Sequence, residues 1–390
     1  MDLFKLFACL GAAPALGVFA TQAVSFVPPA SSPLSTSANY VGINNGSLPI
    51  EQIVPGRVFD RFIQIWLENT DFSVANSTAE FRSLAERGIL LSQYFALTHP
   101  SQPNYAATIA GSFFGIADDS VHDIPSNVST MVDVLEHGGI SWAAYMENLP
   151  ADGFNGASFS SVNYVTPGAA DYPFYMRKHN PPILFDSVLK NPSRLARVRN
   201  FNDFAVDATA GALPQWLFVT PNMVNDAHDT TIDFAANWLQ FWLEPLLEDE
   251  RFNNERTLIL LTFDENESQN QNNNIFGLLL GGAVPSSMKG TVDTTYYTHY
   301  SAMSTVQSNW GLGCLGRGDT DPVMSNVYEL VASATGFENN PVSGKKIPLT
   351  NASGATPGPL NPSPSLRTPW PAANSSAICA GGGPVIATPL

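Results

Sequence analysis

Acidic, amide and imidazole side chains recur in this chain directly after short apolar runs. Glu68-Asn69 follow Phe62 to Leu67. Asn222, Asp226, His228 and Asp229 follow Trp216 to Thr220, and Asp264-Glu265 follow Thr257 to Phe263. Each run reads as a buried strand, and open α/β sheets bind ligands beyond the carboxyl ends of their strands. A single carboxylate in such a place is an ordinary cap or loop residue. Several strand ends carrying carboxylates would repel one another unless a cation compensated them. Glu68, Asn69, Asp264 and Glu265 offer only oxygen, a donor set suited to one hard divalent metal ion of unspecified identity. No Cys lies among them, so structural zinc is not indicated.

The segment Thr98-His-Pro-Ser-Gln-Pro-Asn-Tyr105 is the other informative stretch. Ser101 stands just before a helix expected to start near Asn104. A helix N-terminus stabilises an anionic nucleophile and an incoming phosphate, and a metal beside the hydroxyl would lower its pKa further. Alone, the segment is a Pro-rich turn with Ser as its cap.

The elements that must position these groups alternate along the chain. Besides the three runs above, Trp142 to Met146 and Ile275 to Leu280 read as strands. Helices are expected over Met131 to His137, Thr231 to Leu243 with Pro245 to end or kink it, and Ser301 to Trp310. Phe234, Trp238, Phe241 and Trp242 fall at helical spacing and are assigned to the core. Such alternation implies an α/β fold with a largely parallel central sheet covered by helices on both faces.

Composition narrows the class. The chain has 390 residues and 44% apolar content, enough for a sizeable core. Its 18 Lys plus Arg face 34 Asp plus Glu, a net charge of −16. That excess argues against nucleic acid as a partner and against a polybasic membrane anchor. Residues 1–20 carry Lys5 and an apolar run from Phe7 to Ala20, the pattern of a signal peptide cleaved after Ala20 or Ala23. Six Asn-X-Ser/Thr sequons agree with a secretory route: Asn45, Asn76, Asn127, Asn266, Asn351 and Asn374. A glycan at Asn266 would crowd Asp264 and Glu265, so that sequon is expected to be unmodified or to point away. Cys314 and Cys379 remain outside the signal segment and are expected to pair in an oxidising compartment. The organisation expected is a lead-in over 21–55, a catalytic domain over 56–335 and a Pro/Ser/Gly-rich tail over 336–390. Localisation is expected to be extracellular or at the cell wall.

Six segments occur in one order: Glu68-Asn69-Thr-Asp-Phe72, Pro100-Ser101-Gln-Pro103-Asn104, Lys178-His179-Asn180-Pro181, Thr220-Pro-Asn222 with Asp226-Ala-His228-Asp229, Thr262-Phe-Asp264-Glu265-Asn266, and His299-Tyr-Ser301. Together, over about residues 56–335, they resemble the phosphoesterase family of secreted fungal acid phosphatases and phospholipases C, within the alkaline phosphatase superfamily. Tyr105 and Asn266-Glu267-Ser268 stand where the lipases carry Arg and Ser-Gly-Gly, so the resemblance is nearer to the acid phosphatases.

The resemblance implies Ser101 as nucleophile, with Glu68, Asn69, Ser101, Asp264 and Glu265 around one metal. It implies that Asn104 donates a hydrogen bond to a phosphoryl oxygen, and that His228 and His299 contact phosphate or supply a proton. Lys178, His179, Asp226 and Asp229 are expected to bind substrate. His99 is divided between supporting the nucleophile and packing, whereas His122 and His137 read as surface or cap residues. The reaction implied is hydrolysis of small phosphomonoesters through phosphoserine. A His acid flanked by carboxylates would favour an acidic optimum. A phosphodiesterase or phospholipase C on the same scaffold, and a non-catalytic secreted wall-associated protein, are the alternatives.

Overall fold

The computed structural model describes residues 25–269, 272–342 and 354–390. The expected signal segment 1–20 and the sequon at Asn351 lie outside the described residues.

Eleven strands occur among the described residues: β1 (Arg61–Leu67), β2 (Ile89–Phe95), β3 (Trp142–Met146), β4 (Ser158–Ser161), β5 (Tyr172–Met176), β6 (Val198–Asn200), β7 (Trp216–Thr220), β8 (Thr257–Phe263), β9 (Asn274–Leu280), β10 (Thr291–Asp293) and β11 (Tyr297–Thr298). The central sheet runs β10-β2-β9-β8-β1-β7-β3-β6, with β11 also paired to β2. β9 is antiparallel to both β2 and β8, and the other pairings in this sheet are parallel. A largely parallel α/β sheet is therefore present. β4 and β5 form a separate antiparallel hairpin.

β1, β7 and β8 sit side by side at the centre of the sheet and are buried nearly throughout. Strands covered on both faces have no solvent side, which is why they read as continuous apolar runs rather than alternating ones. The helices are α1 (Phe72–Ser77), α2 (Ala79–Ala85), α3 (Ser101–Ala110), α4 (Met131–His137), α5 (Asp186–Leu189), α6 (Pro192–Leu195), α7 (Phe201–Thr209), α8 (Ile232–Leu247), α9 (His299–Trp310) and α10 (Glu329–Thr335). α3, α4, α9 and α10 pack together, as do α2 with α8 and α7 with β3 and β6. On α8, Trp238 and Trp242 stack with centroids 5.0 Å apart and meet Phe201 on α7, so the aromatic stripe is core.

Two helices differ from expectation. α3 begins at Ser101 rather than near Asn104, because Pro103 falls in the first turn, where no intrahelical N–H partner is needed. α8 continues through Pro245 to Leu247. The missing Pro245 N–H costs α8 one hydrogen bond near its end, while Leu246 and Leu247 remain buried. β2, the β4–β5 hairpin and the short β6, β10 and β11 carry no local strand pattern.

The lead-in and tail dock on the body. Asn45 N donates to Asp203 Oδ1 at 2.8 Å, and Leu48 N to Asp207 Oδ1 at 2.6 Å. A disulfide joins Cys314 to Cys379. Beside it, Cys314 and Val385 form an isolated parallel bridge that holds the last residues against the domain.

Candidate active site

Ser101 is the first residue of α3 and only 1% exposed. Its Oγ donates to Glu68 Oε2 at 3.0 Å and lies 3.3 Å from Glu265 Oε1. Glu68 directly follows β1 and Glu265 stands two residues beyond β8, so two adjacent strand ends present carboxylates to one hydroxyl. His99 Nδ1 lies 2.5 Å from Glu265 Oε2 and so supports the far side of that carboxylate.

Asn104 has a different task from the one expected. Its Oδ1 accepts from Leu97 N at 3.0 Å and Thr98 N at 3.2 Å, while Nδ2 donates to Thr98 O at 2.9 Å and Pro100 O at 3.3 Å. Both amide hydrogens are engaged, so neither is directed to a phosphoryl oxygen in this geometry. Asn104 clamps the loop that carries Ser101.

Glu68 is the hub of a second group. Tyr105 OH donates to Glu68 Oε1, and His179 Nε2 lies 3.1 Å from the same oxygen. His179 Nδ1 is 3.6 Å from Asp226 Oδ2. Glu68, His179 and Asp226 offer ligand atoms within 4.8 Å of one another, an arrangement that could hold a metal. All three are buried, so His179 and Asp226, expected to touch substrate, turn inward towards Glu68. Prolines 181 and 182 open a 3-10 turn directly after Asn180, which is how the His179 segment is held.

Lys178 points elsewhere, its Nζ 3.2 Å from Asp119 Oδ2 and 3.2 Å from His228 Nε2. Asp119 Oδ1 accepts from Gln102 N at 3.0 Å, joining Lys178 to the start of α3. His228 Nδ1 is 2.7 Å from Asp229 Oδ1, and the other Asp229 oxygen accepts from Tyr172 OH on β5. The carboxylate requires the proton on Nδ1, leaving His228 Nε2 to face the Lys178 ammonium.

Crowded charge defines the electrostatics. Burial raises the carboxyls of Asp264, Glu265 and Asp226 well above the usual range, and the charge on Glu68 adds to the rise in each. Burial also pushes Glu68 up, but His179, Lys178 and His228 outweigh it and hold Glu68 below the ordinary range. Burial pulls Lys178 down, yet Asp119, Glu68 and Asp264 keep it above its usual value. The positive charge of Lys178, held on Asp119 and His228, thus acts on this acidic group from outside it. Asn69 Oδ1 and Asp264 Oδ2 are buried with no hydrogen-bond partner, although Asn69 N donates to Asp264 Oδ1 at 3.3 Å. Orphaned oxygens beside Glu68 and Glu265 fit a hard divalent cation, whose charge would relieve the repulsion.

His299 is set back from this group. It opens α9, stacks on Trp66 at 4.3 Å and donates Nε2–H to the Asp264 carbonyl at 2.7 Å. Burial pushes its pKa down to about 3, so it stays neutral and keeps its single proton on that bond. In this geometry the ring holds the Asp264 backbone, whereas the expectation was contact with phosphate or proton supply.

Asn266 is also inward: it is 2% exposed, and its Nδ2 donates to Asp71 Oδ1 and Ser268 O, both at 3.0 Å. Asn45, Asn127 and Asn374 are exposed and Asn76 is half-buried. Sequence reasoning missed Tyr105, Asp119 and Tyr172 as partners. Tyr105 lies one helical turn beyond Ser101, which places both side chains on one face of α3, and this spacing was the available signal.

The Phosphoesterase family profile matches residues 51–313. An acid phosphatase of Aspergillus fumigatus is 45% identical over 84% of this chain and 71% of its own length. A probable acid phosphatase of Kluyveromyces lactis is 50% identical over 73% of this chain and 66% of its own. Among solved structures, a protein in the alkaline phosphatase superfamily from Vibrio parahaemolyticus aligns with a TM-score of 0.41 at 11% identity, covering 68% of this chain and 71% of that one.

Proposed function

The chain belongs to the Phosphoesterase family, and from that premise we propose that it is a secreted acid phosphatase acting on small phosphate monoesters through a phosphoserine intermediate. The observation that carries the reading is Ser101 at the head of α3, its hydroxyl between Glu68 and Glu265. Glu68, Asn69, Asp264 and Glu265 would hold one divalent cation, with His179 and Asp226 supporting Glu68 from behind. When bound, such a cation supplies Lewis-acid activation of a hydroxyl and neutralises phosphoryl charge.

The Ser101 Oγ proton passes to Glu68 Oε2 as Oγ forms its bond to phosphorus. The bond from phosphorus to the ester oxygen breaks in line. Lys178 contacts the equatorial oxygens, and His228 Nε2 takes up the proton that the phosphomonoester monoanion carries at acid pH and delivers it to the departing oxygen, its ring oriented by Asp229. Water then attacks phosphoserine, giving its proton to His228 as Ser101 recovers its own. The α3 N-terminus adds favourable potential for the anion. Support for secretion comes from the apolar N-terminal segment, the sequons and the disulfide. Among the described residues, no helix is long and apolar enough to cross a membrane. The exposed Asn45, Asn127 and Asn374 are the proposed glycan sites, with Asn76 and Asn351 as the remaining candidates.

The test is turnover of p-nitrophenyl phosphate and bis-p-nitrophenyl phosphate from acid to alkaline pH, with and without chelator. Wild type should prefer the monoester at acid pH and lose activity to chelator. Ser101→Ala should lose at least about a thousandfold in kcat. Preference for the diester would move the protein to the phosphodiesterase side, and survival of activity in Ser101→Ala would remove the nucleophile assignment.

A further inference from the structure

A cavity of about 420 Å³ opens beside the Lys178–His228 pair. Its walls are Tyr172 and Met176 at the two ends of β5, Pro173 between them, and Met223 from the turn after β7. Its polar lining is Lys178 and His228 with their partners Asp119 and Asp229, together with Ser158. This lining is tied to the nucleophile, since Lys178 bonds Asp119, Asp119 accepts from Gln102 N, and Gln102 follows Ser101. An apolar chamber thus adjoins the proton donor and the cation proposed to meet the phosphoryl group.

We propose that this chamber receives the leaving group of the substrate and selects phosphomonoesters whose leaving group is an apolar aromatic ring. The inference rests on the phosphomonoesterase reading and adds the substrate class to it. The occupant follows from the chemistry of the walls. A polyol leaving group would surrender its hydration to thioether, proline ring and aryl surfaces that return almost no hydrogen bonds. A planar ring would shed apolar surface from water, and the two methionines offer sulfur to its edge. At the polar end Asp119 and Asp229 hold Lys178 and His228 in place, and the Lys178 ammonium suits a molecule that is apolar at one end and anionic at the other. With the phosphoryl group at Lys178, the ester oxygen falls near His228 and the ring beyond it, against Met176 and Met223.

The Met223 carbonyl accepts from Asp229 N at 2.9 Å, but that bond is backbone to backbone, so the side chains of Met176 and Met223 can be changed without removing a proton donor or an anion contact. The experiment measures kcat/KM for 1-naphthyl phosphate and for glycerol 3-phosphate in wild type, Met176→Ser, Met223→Ser and the cavity-filling Met176→Trp. Comparing each variant with wild type on the same substrate cancels the intrinsic reactivity of the two esters. The Ki of inorganic phosphate reports whether the phosphate site is intact, independently of any leaving group. The expected result is a fall of about tenfold or more for 1-naphthyl phosphate in each variant, with glycerol 3-phosphate and the phosphate Ki changed less than about twofold. A parallel fall for both substrates with a weakened phosphate Ki would overturn the subsite, since it would report general disturbance. Unchanged kinetics for both substrates in all three variants would overturn it too. Should wild type turn over neither monoester, the phosphomonoesterase reading fails and the subsite with it. If wild type turns over both and the variants do not discriminate, only the subsite fails.

Discussion

Glu147 is the first residue after β3 and is 1% exposed. Its carboxyl accepts from Asn222 N at 2.9 Å and from Asn225 Nδ2 at 2.9 Å to each oxygen. Burial pushes the pKa from 4.5 up to about 7, the hydrogen bonds from Asn225 and Asn222 limiting the rise. The folded state therefore holds a proton that the unfolded chain has already released. Stability from this group is fully present below the unfolded pKa of 4.5 and is lost as pH climbs through about 7. A displacement of about 2.5 pKa units corresponds to about 3 kcal/mol, nearly all of it appearing between about pH 4 and about pH 8. Glu147→Gln removes the titration while keeping shape and a neutral head. The measurement is the unfolding free energy of both proteins by chemical denaturation across that interval. Wild type should lose about 3 kcal/mol more than the variant on going from acid to slightly alkaline pH. A wild-type-minus-variant difference that stays constant across the interval would show that Glu147 is already ionised in the folded protein. The neutral-carboxyl account would then be wrong.

Asn104→Ala should leave the fold intact by circular dichroism but lower kcat by about a hundredfold, since Ser101 would lose its clamped loop and misplacement of about 1 Å suffices for that loss. An unchanged kcat would show that the four amide bonds are dispensable. Replacing both Cys314 and Cys379 by Ser frees a span of 65 residues. By loop entropy the double variant should lose about 4 kcal/mol of unfolding free energy. A loss below about 1 kcal/mol would mean that non-covalent docking of the tail already constrains the chain.

The parts legible in the sequence were those set by local pattern. β1, β3, β7 and β8 are apolar runs ended by polar residues, and their buried central position follows from that pattern. The strand-end rule then pointed to Glu68, Asp226, Asp264 and Glu265 without any coordinates. Elements with mixed composition were not legible. β2 carries Ser92 and Gln93 amid apolar residues, and β6 is only Val-Arg-Asn. Their strand character comes from pairing with β9 and β3, which is tertiary rather than local.

Side-chain direction is where sequence reasoning ran out, and the histidines show why. His179, His228 and His299 all fall in segments that carry the family resemblance, and spacing gives them equal standing. Their chemistry is decided by what each ring meets across the fold. His179 meets two buried carboxylates and turns towards Glu68 and Asp226. His299 meets a backbone carbonyl and an indole, so burial wins and it stays neutral. His228 alone combines a carboxylate on one nitrogen with a cation and an open cavity on the other. The proton-donor role proposed for His228 rests on that environment, oriented on one side and open on the other. Asn104 follows the same logic in reverse: a residue type suited to phosphate contact is diverted because two carbonyls of its own loop lie closer. The geometry of this site thus depends on contacts that run from 33 residues apart for Ser101 and Glu68 to 195 for Asn69 and Asp264, formed only once β1, β7 and β8 align their carboxyl ends.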